Sequence, residues 1–298
     1  MNYLIAGGTG FIGSNLKQML LQEGHNVTVL TRNPARYRGE QAKNQTFISW
    51  NDDLPQAMND ADVVINLTGE NLFKIWWTDA VKKALRESRL NTTRTLVEAM
   101  EKADKKPEIF ISASGISYYG NRGDQLLDES SEAGDDFLAK LCIDWEREAL
   151  KAADLDIRTA IVRISPALQD GGGMIEKMKP PFLLFVGGPI GSGRQYVPWI
   201  HMQDLCRAIL HPVENPDFEG PYNACSPEQV TMNELADVMG KVLNRPSFFR
   251  VPEFVLNTVL GESATPVVSS LRVQPKKLQV SGFEFEFENL EEALADAL

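Results

Sequence analysis

The feature that most constrains this chain lies at its start. The apolar run Tyr3-Leu4-Ile5-Ala6 leads directly into Gly7-Gly8-Thr9-Gly10-Phe11-Ile12-Gly13, after which a helical pattern begins. Two glycine spacings overlap there, GxxGxxG through Gly7, Gly10 and Gly13, and GxGxxG through Gly8, Gly10 and Gly13. A strand that must turn tightly, bring its backbone close to a pyrophosphate and seat the next helix against itself needs glycine at such points. The helix start then offers free N–H groups and the positive end of its dipole to the phosphates. Between a strand and a helix, the pattern reads as a dinucleotide-binding turn.

The rest of the first half keeps that rhythm. Apolar strand candidates at 3–6, 27–31, 46–49, 63–67, 109–112 and 158–163 alternate with helical patterns, notably 12–23, 78–103 and 135–153. Continuous apolar strands separated by helices predict a parallel sheet covered on both faces. The expected fold class is therefore α/β, a doubly wound parallel Rossmann-type sheet with a smaller C-terminal substrate-side region. Residues 1–165 form the expected nucleotide-binding domain, with a strand and a helix contributed from 195–225. Residues 166–298 form the smaller mixed region. Glycines and prolines crowd 171–173, 180–181 and 187–193 and predict long loops. Helices are expected from about 202, over 232–243 and over 290–297.

Which dinucleotide fits is decided at the end of the second strand. Binders of NAD usually place Asp or Glu there for the ribose 2′-hydroxyl, and binders of NADP place Arg by the 2′-phosphate. Here Thr31-Arg32-Asn33-Pro34 ends the strand, with Arg36 and Arg38 close behind. Arg32 can grip a phosphate through its planar fork, so the expected cofactor is NADP(H).

Charge and cysteine content exclude other classes. A net charge of −11 argues against nucleic acid as the main partner, since phosphate binding wants excess Lys and Arg. No stretch approaches the ~18 apolar residues of a membrane-crossing helix, and the N-terminus lacks the features of a signal peptide. No membrane partner and a cytoplasmic location are expected. Cys142, Cys206 and Cys225 are widely spaced and odd in number. With His25, His201 and His211 they form no ligand cluster, so buried thiols and no metal are expected.

Several further segments resemble the extended short-chain dehydrogenase/reductases, the epimerase-like branch of that superfamily. They are Val63-Val64-Ile65-Asn66-Leu67-Thr68-Gly69, Asn91-Thr92-Thr93-Arg94-Thr95-Leu96, Ile111-Ser112-Ala113-Ser114-Gly115 with its Tyr118-Tyr119-Gly120 ending, and His201-Met202-Gln203-Asp204. Gly69-Glu70-Asn71, Trp145-Glu146 and the ending 278–287 are similar to an atypical subgroup, the "epimerase family protein" relatives of short-chain dehydrogenase family 39U. The resemblance implies cofactor contacts from Gly7, Thr9, Gly10, Phe11, Ile12, Gly13, Arg32, Leu67, Thr68, Gly69, Glu70, Arg89 and Ser112. It implies an active-site role for Asn91, and homodimers through the helices at 78–103 and 135–153 are common in the family.

This chain departs from the family at its catalytic residues. The family uses Tyr-x-x-x-Lys with a Ser at the end of strand five. Alignment on Trp145-Glu146 puts Leu138 at the Tyr and Cys142 at the Lys, and alignment on Tyr119-Gly120 puts Gly115 at the Ser. A slip of two residues would bring in Lys140, with Asp136 at the Tyr. Tyr118 and Tyr119, following strand five, are the candidate replacement acids, and Arg194, after the glycine-rich 187–193 segment, is the candidate for an anionic substrate group. His201 is expected to cap a helix. Met174, Met178, Phe182 and Phe185 share a helical spacing that suits core or pocket. Two functions follow: an NADP(H)-dependent oxidoreductase or epimerase-like enzyme on a small-molecule carbonyl or hydroxyl substrate, or a catalytically silent NADP(H)-binding redox sensor.

Overall fold

In the computed structural model, which describes residues 1–72 and 76–298, seven strands run parallel in one sheet. They are β1 (Asn2–Ala6), β2 (Asn26–Thr31), β3 (Gln45–Ser49), β4 (Val63–Asn66), β5 (Ile109–Gly115), β6 (Arg158–Ile164) and β7 (Gly220–Ala224), in the spatial order β7-β6-β5-β4-β1-β2-β3. The chain moves outward from β1 to β3, then returns to β4 on the other side of β1. That reversal opens a crevice at the carboxyl ends of β1 and β4, where ligands bind in such sheets.

Alternation along each strand fills two cores. Tyr3, Ile5, Val27, Val29, Ile65, Ile111, Val162 and Tyr222 face one side, packed with Leu16 and Leu20 of α1 (Phe11–Gln22) and with Leu205 and Ile209 of a later helix, Met202–Glu214. Leu4, Ala6, Leu30, Val64, Phe110 and Ile161 face the other. There they meet Met58 of α2 (Leu54–Asn59) and Leu96 and Met100 of α3 (Asp79–Lys102). Burial on both faces is why these strands read as unbroken apolar runs. A further helix, α4 (Phe137–Leu150), packs beside α3 and is capped by Asp136, whose carboxylate accepts from the Ala139 N–H at 2.8 Å.

The second half departs from expectation in one place. Gly173–Leu183 is a helix, α5, although Pro180 and Pro181 lie inside it. Burial of Ile175, Met178 and Phe182 contributes roughly 1.5–3 kcal/mol each, which offsets the ~3 kcal/mol that each of the two interior prolines costs. The glycines before it serve close approach: a Cβ on Gly172 would meet the Phe11 ring at 2.4 Å. Of the helically spaced quartet, Met178 and Phe182 are core and Met174 packs against it, whereas Phe185 is exposed. β7 begins with Gly220 and Pro221, and as the sheet's last strand it tolerates proline. It and the helix Met202–Glu214, α6, come from the 195–225 segment.

A separate core closes the C-terminal region. Ile175, Met178, Phe182, Trp199, Leu235, Met239, Leu290 and Leu294 form it. They join α5 to α7 (Met232–Leu243), which starts with a Thr231–Glu234 capping box, and to a last helix, Leu290–Ala297.

Candidate functional site

The glycine turn sits at the mouth of the crevice. Gly7 has φ +85, a conformation glycine adopts without strain, and a Cβ there would come within 2.8 Å of the Leu67 carbonyl at the end of β4. A Cβ on Gly13 would lie 2.3 Å from the Gly7 oxygen. These two glycines let α1, the turn and the β4 exit meet backbone to backbone. Gly10 caps α1 without a side-chain hydrogen bond, so no side chain fills the space before the helix's first N–H groups. Thr9 and Gly10 are exposed there, with Phe11 and Ile12 half-buried behind them. A bare helix start in a cradle kept open by glycine fits a pyrophosphate.

One strand away, Thr31 is buried and Arg32 is exposed at the carboxyl end of β2. Arg36 and Arg38 are exposed in the 3-10 turn that follows. None of the three guanidinium groups has an ion pair or hydrogen bond among the described residues. Three uncommitted cations at this strand end fit an additional phosphate on the cofactor's adenosine half.

Beyond β1, a buried polar network holds the ends of β4 and β5 together. Asn66 is fully buried; its amide donates to Thr93 Oγ1 at 2.9 Å, and its Oδ1 accepts from the Thr68 N–H at 3.1 Å and the Thr68 hydroxyl at 2.6 Å. Trp145 Nε1 also donates to Thr93, at 3.0 Å. Ser112 is fully buried beneath this network, within 3.4 Å of the Asn66 amide, which places it behind the crevice surface. Leu67, Thr68 and Glu70 are half-buried and Gly69 is exposed at the surface above.

α3 turns Asn91 away from its buried face. The inward face of α3 carries Leu85, Arg89, Leu90, Thr93, Leu96 and Val97, while Asn91 is exposed on the outer face. Arg89, two residues earlier, is buried against the exit of β4, where Ser88 and Thr92 also bond the 68–70 segment. It donates to the Leu85 carbonyl at 2.9 Å and the Glu70 carbonyl at 3.1 Å, and lies over the Trp145 ring at 5.2 Å.

The two tyrosines after β5 occupy different environments. Tyr119 is fully buried; its hydroxyl donates to Asn223 Oδ1 at 2.8 Å and accepts from Arg163 Nη1 at 3.0 Å, and burial pushes its pKa up to about 12. With donor and acceptor roles both taken, it braces the site from beneath and does not offer a proton to a ligand. Tyr118 is half-buried, and its hydroxyl has no partner among the described residues. Its ring stacks on the Arg163 guanidinium, 3.5 Å from Cζ to the ring centroid.

Sequence reading missed the group under these rings. Arg163 on β6 makes a two-pronged pair with Glu146 on α4, Nε to Oε1 and Nη2 to Oε2, each 2.9 Å. Ser114 also donates to Glu146, at 2.7 Å. Burial works against the Arg163 charge, but the paired carboxylate outweighs it and holds the guanidinium's pKa above its ordinary value. The available signal was Arg163 inside an otherwise apolar strand, since a buried charge requires a partner.

Leu138 and Cys142 lie on the inward face of α4, and Cys142 Sγ would stand 3.7 Å from a Cβ on Gly115. Both side chains are buried there. Burial and the nearby Glu146 push the Cys142 thiol up to about 11, so it stays protonated at neutral pH. Lys140 is exposed and Asp136 caps α4, which disfavours the slipped register. After the glycine-rich 187–193 segment, Arg194 is exposed and its guanidinium has no partner among the described residues. The nearby glycines permit close packing: Gly188 lies against the Phe249 backbone, and Gly193 against Asn233 and Arg250. His201 caps α6 and lies 3.2 Å from Asp296. Among the described residues no cluster could hold a metal, and no helix is long and apolar enough to cross a membrane.

Comparison with known proteins adds to this picture. A sequence profile described as the NAD dependent epimerase/dehydratase family matches residues 3–225, and one described as a domain of unknown function (DUF1731) matches residues 251–297. The chloroplastic homologue of epimerase family protein SDR39U1 from Arabidopsis thaliana is 36% identical over 301 residues, 99% of this chain and 86% of that protein. The crystal structure of human epimerase family protein SDR39U1 (isoform 2) with NADPH superposes with a TM-score of 0.91 at 33% identity, covering 100% of this chain and 99% of that one. A nucleoside-diphosphate sugar epimerase from Corynebacterium glutamicum gives a TM-score of 0.78 at 31% identity, covering 100% of this chain and 58% of that one.

Proposed function

Given that the chain belongs to the NAD dependent epimerase/dehydratase family, we propose that it is an NADP(H)-dependent oxidoreductase or epimerase-like enzyme acting on a small carbonyl or hydroxyl substrate. The observation that carries this reading is the pairing of a glycine cradle with a β2 end that bears Arg32, Arg36 and Arg38 and no carboxylate. A human relative whose structure contains NADPH supports the same cofactor. NADP(H), when bound, supplies or accepts the hydride.

The chain's own residues would divide the remaining work. Gly7, Thr9, Gly10, Phe11, Ile12 and Gly13 hold the pyrophosphate, and Arg32 holds the 2′-phosphate. Leu67, Thr68, Gly69, Glu70 and Arg89 line the nicotinamide half, with Ser112 supporting them from below. Tyr118 is the group we assign to proton transfer at the substrate oxygen, because its hydroxyl is the uncommitted one of the pair. Arg163, locked by Glu146 and Tyr119, fixes the plane of the Tyr118 ring. Arg194 is assigned to an anionic part of the substrate. A cytoplasmic setting suits the three free, buried cysteines, and we include pairing of two copies through α3 and α4.

Leu138, Cys142 and Gly115, at the family's catalytic positions, favour a second reading, an NADP(H)-binding redox sensor without turnover. Titration with NADPH and NADH tests the cofactor. Arg32→Ala should weaken NADPH binding by about 1–3 kcal/mol and leave NADH nearly unchanged. Equal losses for both would remove the assignment.

A further inference from the structure

Arg89 is a buried cation whose charge the protein only partly offsets. Its side chain is 8% exposed, and no carboxylate of a described residue is within ion-pair distance. Its two hydrogen bonds go to neutral carbonyls, those of Leu85 and Glu70. Of five guanidinium N–H groups, the other three have no acceptor among the described residues. Two ionisable side chains act on it, Glu70 and Cys142. The Glu70 carboxylate offsets part of the charge, while the Cys142 thiol is neutral at physiological pH. Glu146, one turn along from Cys142, is taken by Arg163.

Its place in the crevice gives that charge a consequence. Arg32 stands at β2, the bare helix start at β1, and Arg89 below Gly69 at the exit of β4, where a Cβ on Gly69 would lie 3.0 Å from the guanidinium carbon. A dinucleotide whose 2′-phosphate meets Arg32 and whose pyrophosphate meets α1 has its nicotinamide half over β4 and β5. Oxidised nicotinamide is a cation and reduced nicotinamide is neutral. We propose that Arg89 makes this crevice selective for the redox state of its cofactor, favouring NADPH over NADP⁺ by like-charge repulsion of the oxidised ring. The inference rests on the NADP(H) reading above and adds to it a direction: the protein holds the reduced form and releases the oxidised one.

The test needs binding alone. Dissociation constants for NADPH, NADP⁺ and 2′,5′-ADP, which lacks the nicotinamide half, are measured by calorimetry on the wild type, Arg89→Lys and Arg89→Gln. A unit charge acting through a partly screened site should give the wild type a preference for NADPH of about ten-fold, kept within about three-fold by Lys and lost in Gln. Affinity for 2′,5′-ADP should be the same in all three, which shows that the adenosine half of the site is intact. A wild-type preference near one overturns the proposal even if Arg89→Gln does not fold. So does an unchanged preference in a folded Arg89→Gln. Failure of the wild type to bind any of the three ligands would instead overturn the NADP(H) reading, and the selectivity with it.

Discussion

Replacing Gly13 with alanine should damage both the fold and the cofactor site, and the size of the effect follows from the geometry. The new Cβ would lie 2.3 Å from the Gly7 oxygen, 2.7 Å from Gly8 Cα and 2.9 Å from the Gly7 carbonyl carbon, whereas real Cβ contacts essentially never fall below 3.0 Å. All three neighbours are backbone, so no side chain can rotate away and the turn itself must move. Overpacking of this kind costs about 1–3 kcal/mol, and the absence of any flexible neighbour puts Gly13→Ala at the upper end. The displaced turn would also lose one or two charge-assisted hydrogen bonds to phosphate, weakening NADPH binding by about ten- to a hundred-fold. Gly24→Ala is the control: its φ is +81 but no atom lies within 4 Å, so only left-handed strain of roughly 1–2 kcal/mol applies and NADPH binding should not change. Urea denaturation gives the first quantity and NADPH fluorescence titration the second. Gly13→Ala binding NADPH as tightly as Gly24→Ala would refute the view that this contact shapes the phosphate cradle.

Other substitutions probe the crevice beyond the turn. Glu146→Leu should cost about 3–5 kcal/mol by leaving the Arg163 charge buried and unpaired, and adding Arg163→Met should recover much of it; equal stability of the single and double variants in urea would contradict the pairing. Tyr118→Phe should abolish NADPH-dependent turnover while sparing NADPH affinity, and a rate unchanged from wild type would remove Tyr118 from the mechanism. In the folded protein burial lets Tyr119 hold its proton up to about pH 12, against an ordinary tyrosine value of about 10, so the unfolded chain ionises first and stability should fall as pH rises from 10 towards 12. Tyr119→Phe should make that decline shallower in denaturation series at increasing pH, and an identical decline would show that Tyr119 does not contribute to it.

The fold was legible because its sheet is buried on both sides: runs such as Val63-Val64-Ile65 admit few other readings. A strand within 195–225 was expected, but the bounds of β7 were hidden by Gly220 and Pro221, which are local turn signals that the sheet edge tolerates. α5 was hidden because proline and glycine report local preference, whereas the burial of Ile175, Met178 and Phe182 is a tertiary effect. In the site, the glycine spacing and the Arg32 position are local and could be read directly. The face of α3 could not be settled from Asn91-Thr92-Thr93-Arg94-Thr95, a polar run with no apolar residue to mark the inward side. Tyr118 and Tyr119 are adjacent on a turn, and only the partners Arg163 and Asn223, brought in from distant strands, separate their roles. The Glu146–Arg163 pair joins a helix to a strand, and neither residue names the other.

A crystal structure of the NADPH complex tests the central claim most directly. The 2′-phosphate should lie on Arg32, the pyrophosphate at the start of α1, and nicotinamide C4 should face an open pocket with the Tyr118 hydroxyl about 3–6 Å away, allowing for a substrate between them. A nicotinamide ring surrounded only by Leu138, Cys142, Gly115 and other inert groups, with Tyr118 turned away, would contradict the enzyme and leave the sensor.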